Sequence, residues 1–303
     1  GVRIINCARG GLVVEADLKA ALESGHVAGA ALDVFDTEPA RDNPLFGMGQ
    51  VVCTPHLGAS TSEAQENVAL QVAEQMSDYL VSGAVINALN MPSVSAEDAP
   101  KLRPYMRLAE QLGSLAGQIA VGGLTAVEVE YEGHAAEINV KPLTQLVLMG
   151  LLRPLLDSVN MVNAPVIARE RNIEIAETKR ERASEYQTLI RLTVTTEDRT
   201  RVLTGTLFGG DKPRIVGIDE VPIEAELSPS MLYIRNEDKP GFIGALGTTL
   251  GQAGVNIATF HLGRTAPGET AIALVSVDQT VEGKLLAKVS SIPGVVTAKP
   301  LVF

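Results

Sequence analysis

Val2-Arg-Ile-Ile-Asn-Cys-Ala-Arg-Gly-Gly11 is a run of β-branched and apolar residues that breaks at a pair of glycines. Such a run reads as a short buried strand, over residues 2–7, feeding a tight loop. Residues 14–24 follow with helical spacing and stop at Gly25, residues 28–35 read as a second strand, and residues 51–54 as a third. Strand, helix, strand at this spacing is the parallel α/β pattern, which holds ligands at the carboxyl ends of its strands. The expected class is therefore α/β, with residues 1–60 forming the C-terminal part of a doubly wound parallel sheet.

The whole chain bounds that reading. With 303 residues and 32.0 kDa it has room for two or three domains. Hydrophobic residues make up 46% and aromatic ones 4%, with no Trp, so packed cores built from Val, Leu, Ile and Ala are expected. A net charge of −11 argues against a nucleic-acid binder, which needs a basic face for phosphates. The charge is uneven: −9 over residues 1–100, −3 over 101–228 and +1 over 229–303. An anionic ligand would most easily find cations in the middle stretch. Cys7 and Cys53 lie in apolar runs without a CxxC partner, so two buried, reduced thiols are expected rather than a zinc site or a disulfide. His26, His134 and His261 have no i, i+4 pairing, and no metal site is expected. No run of about 18 apolar residues is present. No membrane span is expected, and a cytoplasmic location is. The chain opens on Gly1 inside a buried-strand pattern, which predicts the C-terminal part of a longer chain.

Beyond residue 60 the pattern changes. Ser60 with Glu63 reads as a capping box, and Val68, Val72, Met76 and Leu80 recur at helical spacing until Gly83. Residues 84–104, with three prolines, read as a linker. Helices are expected over 106–119 and 142–159, and strands over 126–132, 188–196, 201–208, 214–218 and 221–227. From residue 231 the order is β, α, β, β, α, β, which is ferredoxin-like. The expected domains are residues 1–60, then 61–100 as crossing helix, residual substrate domain and linker, an α+β intervening domain over 101–228, and the βαββαβ module over 229–303.

Three residues in the first segment carry chemistry: Arg9 after the first strand, Glu38 in Asp33-Val-Phe-Asp-Thr-Glu-Pro39, and His56 in Thr54-Pro-His-Leu-Gly58. Arginine grips a carboxylate through a bidentate fork, and histidine moves a proton near neutral pH with a carboxylate behind it. Together with Leu57-Gly-Ala-Ser-Thr61, these motifs resemble the D-isomer-specific 2-hydroxyacid dehydrogenases over about the first 90 residues. The resemblance implies a Rossmann-like sheet and an NAD cofactor. Arg9 would bind the substrate carboxylate and carbonyl, His56 would take the hydroxyl proton, and Glu38 would orient the imidazole and stabilise the cation formed. Cys7, Ala8, Arg9, Asp33, His56, Gly58 and Ala59 fall where the family meets the nicotinamide end. Asp33 has a second reading, as a strand-end cap. No Gly-x-Gly-x-x-Gly is present, so the 303 residues alone are expected to lack dehydrogenase activity.

Asn236-Glu-Asp-Lys-Pro-Gly241 and Gly251-Gln-Ala-Gly-Val-Asn-Ile257 resemble an ACT regulatory module. The resemblance places effector contacts at Asn236, Asp238 and Asn256. A plain helix start at Pro-Gly and a turn end at Asn256 are the competing readings. Hydroxyacid dehydrogenase, middle domain and ACT module in one chain are similar to the long-form phosphoglycerate dehydrogenases. That implies 3-phosphoglycerate as substrate, L-serine as effector, and a homo-oligomer, plausibly a tetramer. Within the middle domain, Arg153, Arg169, Arg171, Lys212 and Arg214 would be available to anions. The alternatives are another ACT-containing 2-hydroxyacid dehydrogenase and a non-catalytic amino-acid-binding module.

Overall fold

The computed structural model describes residues 1–181 and 185–303, which divide into two units, residues 1–81 and 82–303. In the first unit β1 (Val2–Asn6), α1 (Glu15–Glu23), β2 (Val27–Leu32) and β3 (Val51–Cys53) form a parallel sheet in the order β1-β2-β3. Leu18 and Leu22, four apart on α1, pack on Val27, Ala30, Leu32, Phe35 and Leu45. Gly25, at φ +75°, lets the chain leave α1 in the left-handed region. The expected burial of both cysteines is half right: Cys53 is half-buried, but Cys7 lies one residue beyond β1 and is exposed.

The helix α2 (Ser62–Ser82) begins one residue later than the capping-box reading predicts. Thr61 Oγ1 accepts the Ala64 amide at 3.1 Å, while the Ser60 hydroxyl donates to the His56 carbonyl at 3.1 Å. The helical stripe of Val68, Val72, Met76 and Leu80 is present, and all four side chains are exposed.

The second unit opens with a correction. Residues 84–104 are structured: Val85 bridges Val94, Ala84 is buried, and α3 (Ala99–Ile119) starts well before residue 106. Pro100 misled because it occupies the first turn of α3, where a missing N–H costs nothing, and Pro104 is carried inside the helix. Then come β4 (Leu124–Gly133), the single turn α4 (His134–Glu137), α5 (Lys141–Leu152), α6 (Ala164–Glu170) and β5 (Glu174–Arg180). The expected helix over 142–159 stops at Leu152, just ahead of Pro154. With β6 (Thr188–Thr196), β7 (Thr200–Phe208), β8 (Lys212–Ile218) and β9 (Val221–Ala225) a six-stranded sheet forms in the order β5-β4-β6-β7-β8-β9. Only its β4–β5 pair is parallel.

Three glycines let α3 and α5 cross with their backbones nearly touching. A Cβ on Gly113 would stand 2.2 Å from the Val147 carbonyl, one on Gly117 2.3 Å from that of Leu151, and one on Gly150 2.5 Å from that of Glu110.

The last module is β10 (Ser230–Glu237), α7 (Phe242–Gln252), β11 (Ile257–Arg264), β12 (Thr270–Val277), α8 (Gly283–Ser290) and β13 (Val295–Val302). Its antiparallel order β11-β12-β10-β13 is the βαββαβ arrangement that the sequence predicts. Alternation along the strands divides its side chains between two cores. Leu232, Ile234 and Val275 face Phe242, Leu246, Leu250 and Val289 of the helices. Met231, Tyr233, Ile272, Leu274 and Leu301 join the core under the six-stranded sheet. On that side a Cβ on Gly263 would stand 2.1 Å from the Pro222 carbonyl, so β11 and β9 are in backbone contact.

Candidate active site

The strand ends of the first unit are held by polar side chains acting on backbone. Asn6, the last residue of β1, accepts the Ala8 amide at 3.1 Å and donates to the Arg9 carbonyl at 3.0 Å, closing the loop that carries Arg9. Gly10 then lies on β2's exit: a Cβ there would be 2.1 Å from the Phe35 carbonyl, so no other residue brings the loop this close. Glu15 fixes the next turn, accepting the Asp36 amide at 3.0 Å and the Asn43 side chain at 2.8 Å.

Asp33, 5% exposed at the end of β2, accepts three hydrogen bonds. They come from the Thr54 hydroxyl at 2.5 Å, the Leu57 amide at 2.7 Å and the Gly58 amide at 2.9 Å. The Thr54 hydroxyl first, and then the two amides, hold its carboxyl below the usual aspartate value. The loop that carries His56 is therefore tied to a carboxylate one strand away. His56 itself sits at φ +57°, a region that non-glycine residues seldom adopt, and the Asp33 bonds on either side maintain it.

His56 Nδ1 lies 2.6 Å from Glu38 Oε2. Glu38 Oε1 accepts the Phe35 amide at 2.9 Å, so the carboxylate is anchored before it meets the imidazole. The His56 contact first, then the Phe35 amide, lowers the Glu38 carboxyl below the ordinary glutamate range. With Nδ1–H donating to Glu38, neutral His56 presents the lone pair of Nε2, which has no partner among the described residues. The ring borders a cavity of about 520 Å³ lined also by Phe35, Glu38, Pro39, Ala40, Phe46, Cys53, Thr54 and Pro55.

Arg9 is exposed and does not line this cavity. One guanidinium nitrogen donates to the Ala8 carbonyl at 2.7 Å, and no carboxylate pairs with it among the described residues, leaving most of the fork for an anion. Cys7, Ala8, Gly58 and Ala59 are exposed on the same two strand-end loops. Their small size beside the buried Asp33 suits the flat end of a dinucleotide. Among the described residues no group of metal-binding side chains occurs. Sequence reasoning passed over Asn6, Gly10, Glu15 and Thr54 as working parts. Their one legible signal was a side-chain acceptor or a glycine directly after a strand.

The three effector candidates are not brought together. Glu237 pairs with Thr270 at the start of β12, and Asp238 accepts Arg264 at 2.8 Å and the Gly268 amide at 3.2 Å at that end. Asn256 donates to Asp278 at 3.0 Å just past the far end of β12. An eight-residue strand, roughly 25 Å long, separates them. Asn236 is 2% exposed, its amide donating to the Glu237 carbonyl at 2.8 Å.

Comparison with known proteins agrees with this anatomy. Residues 1–58 match the D-isomer specific 2-hydroxyacid dehydrogenase NAD binding domain, residues 101–219 the D-3-phosphoglycerate dehydrogenase intervening domain, and residues 230–294 the ACT domain. The chain is 41% identical to D-3-phosphoglycerate dehydrogenase of Bacillus subtilis (strain 168) over 300 residues, 99% of this chain and 57% of that protein. The enzyme of the same name from Methanocaldococcus jannaschii is 39% identical, with 96% of this chain and 56% of that protein covered. The one from Synechocystis sp. is 40% identical, with 97% and 53% covered. The chain thus spans a little over half the length of these relatives. Its first 58 residues are similar to the D-isomer-specific 2-hydroxyacid dehydrogenases, and its domain order is that of the C-terminal region of a long-form D-3-phosphoglycerate dehydrogenase.

Proposed function

We propose that this chain is the catalytic-loop and regulatory part of an enzyme that oxidises 3-phospho-D-glycerate to 3-phosphohydroxypyruvate, the entry step of L-serine synthesis. The observation that carries the reading is the 2.6 Å His56–Glu38 pair at the strand ends, in a chain that also holds the intervening and ACT domains. NAD, when bound at these strand ends, supplies the hydride acceptor. His56 Nε2 takes the C2 hydroxyl proton, and Glu38 stabilises the imidazolium so formed. Arg9 holds the substrate carboxylate and carbonyl through its open fork. Cys7, Ala8, Asp33, Gly58 and Ala59 shape the nicotinamide side. We place the reaction in the cytoplasm, where reduced thiols such as Cys7 and Cys53 persist.

L-serine is the proposed effector, at Asn236, Asp238 and Asn256. A molecule of serine's size cannot touch both ends of β12, so Asp238 of one copy would share it with Asn256 of another. That supports a homo-oligomer, for which we propose a tetramer.

The test is steady-state NADH formation from 3-phosphoglycerate by the full-length enzyme and by the 303-residue chain. Turnover is expected only from the full-length enzyme, falling about 10²–10⁴-fold in H56Q. Undiminished turnover in H56Q would remove His56 from the chemistry.

A further inference from the structure

At one end of the βαββαβ module a carboxylate and a guanidinium each keep part of their hydrogen-bonding capacity open. Asp238 follows β10, and Arg264 is the last residue of β11. Arg264 Nη1 donates to Asp238 Oδ2 at 2.8 Å, and the Gly268 amide donates to the same oxygen at 3.2 Å. Asp238 Oδ1 has no partner among the described residues, and neither have Nε and Nη2 of Arg264, the two donors of a side-on fork. Arg264 first, then the Gly268 amide, holds the Asp238 carboxyl below the usual aspartate value, so it carries its charge at neutral pH. The Arg264 side chain is 54% exposed, which leaves that fork within reach of a dissolved ligand.

The hairpin between β11 and β12 does not need this ion pair to close. The Thr265 amide donates to the Thr270 carbonyl at 3.1 Å, and the Glu269 amide to that of Ala266 at 3.1 Å. The Asp238 amide donates to the Glu269 carbonyl at 2.7 Å, which already ties the turn to the end of β10. Neighbouring charges are engaged elsewhere: Lys239 pairs with Glu237 at 2.5 Å, and Glu269 Oε2 accepts the Thr265 hydroxyl at 2.9 Å. An exposed ion pair held by one prong adds little to stability. What it does provide is an open carboxylate oxygen beside an open guanidinium edge.

We propose that Arg264 recognises the carboxylate of the effector, forming with Asp238 a clamp for a free α-amino acid. Asp238 Oδ1 takes the ammonium, and Nε and Nη2 of Arg264 take the carboxylate. This role rests on Asp238 being an effector contact, and adds the residue that tells a zwitterion from a simple cation. In the filled clamp the four charges alternate in sign, so each is flanked by two opposite ones. A ligand with an ammonium alone meets the repulsion of the guanidinium, and one with a carboxylate alone meets that of Asp238. Both charged groups of the α-carbon are thus held by one copy of the chain, and the effector's side chain is left for Asn256 of another.

The test is calorimetric titration of the 303-residue chain with L-serine, with L-serinamide, which lacks the carboxylate, and with N-acetyl-L-serine, which lacks the ammonium. The wild-type chain is expected to bind L-serine at least about tenfold more tightly than either analogue. In R264Q the affinity for L-serine should fall about tenfold while that for L-serinamide does not fall, so that the two bind alike. R264K should restore part of the preference, because it keeps the charge without the fork. A hairpin that merely loosened would weaken both ligands together in R264Q, and that result would overturn the role of Arg264. So would L-serine binding that is lost in D238N and undiminished in R264Q, which leaves Asp238 as an effector contact. Equal binding in wild type, D238N and R264Q, or no binding to the wild-type chain, would overturn both.

Discussion

Glu38 can serve the proposed reaction because one of its oxygens is already held by backbone. The Phe35 amide holds Oε1, leaving Oε2 aimed at His56 Nδ1. In the full-length enzyme E38Q is expected to lower kcat by about 10²–10⁴-fold with a smaller change in KM, because the imidazolium loses its stabilising charge. A steady-state comparison with E38D separates charge from reach, and an E38Q enzyme with normal kcat would show that the pair only shapes the loop. Asp33 gives a pH-dependent counterpart. Its carboxyl lies below the ordinary value of 3.8, so the stability it contributes is fully present above that value and is lost as pH falls through the lower folded-state one. The gap in thermal midpoint between the wild-type chain and D33N should be constant from about pH 5 to 8 and narrow below about pH 4. A gap that widens in acid would contradict this. Arg9, Glu38 and His56 could be picked out as candidates because their residue types announce their chemistry, and of the three the structure pairs Glu38 with His56. Asn6, Gly10 and Thr54 could not, because their work is to hold backbone, and nothing in a residue's identity names the amide or carbonyl that it will meet.

At the scale of elements, legibility followed how much of a segment's pattern comes from its own burial. Strands β6 to β9 alternate cleanly and were readable to within two residues at each end. The β5 segment, Glu-Ile-Ala-Glu-Thr-Lys-Arg, is largely exposed and carries four charges, so no period marks it as the strand it becomes on the edge beside β4. The contact between α3 and α5 was hidden for another reason: a glycine in a helix lowers propensity, and only the crossing explains three of them. Here two magnitudes compete. Gly117→Ala should gain about 1 kcal/mol of helix propensity. It also puts a methyl 2.3 Å from the Leu151 carbonyl, and such overpacking costs about 1–3 kcal/mol. A net loss of stability is expected in urea unfolding, and a stabilised G117A would mean that the helices part freely.

Across the second unit the two sheets are tied by more than the connection at residue 229. Tyr233, Leu274 and Leu301 lie in the same core as Leu108, Leu112 and Leu203. The Gln118 side chain closes the seam, accepting the Val302 amide at 2.8 Å and donating to its carbonyl at 2.8 Å. A module that shares its core cannot open alone without exposing that apolar face. Its deepest amides should therefore exchange only when those of the neighbouring sheet do. Native-state hydrogen exchange is expected to give β7 and β10 a common opening free energy. Q118A should lower both together, because it severs a tie between them rather than weakening either sheet. Separate values for β7 and β10, with Q118A lowering β10 only, would mean that the module opens on its own. An effector signal arriving at α7 would then have no stiff route to the six-stranded sheet. With a common value, whatever binds the module must work against the stability of the whole unit, and small shifts at its surface would be felt at α3.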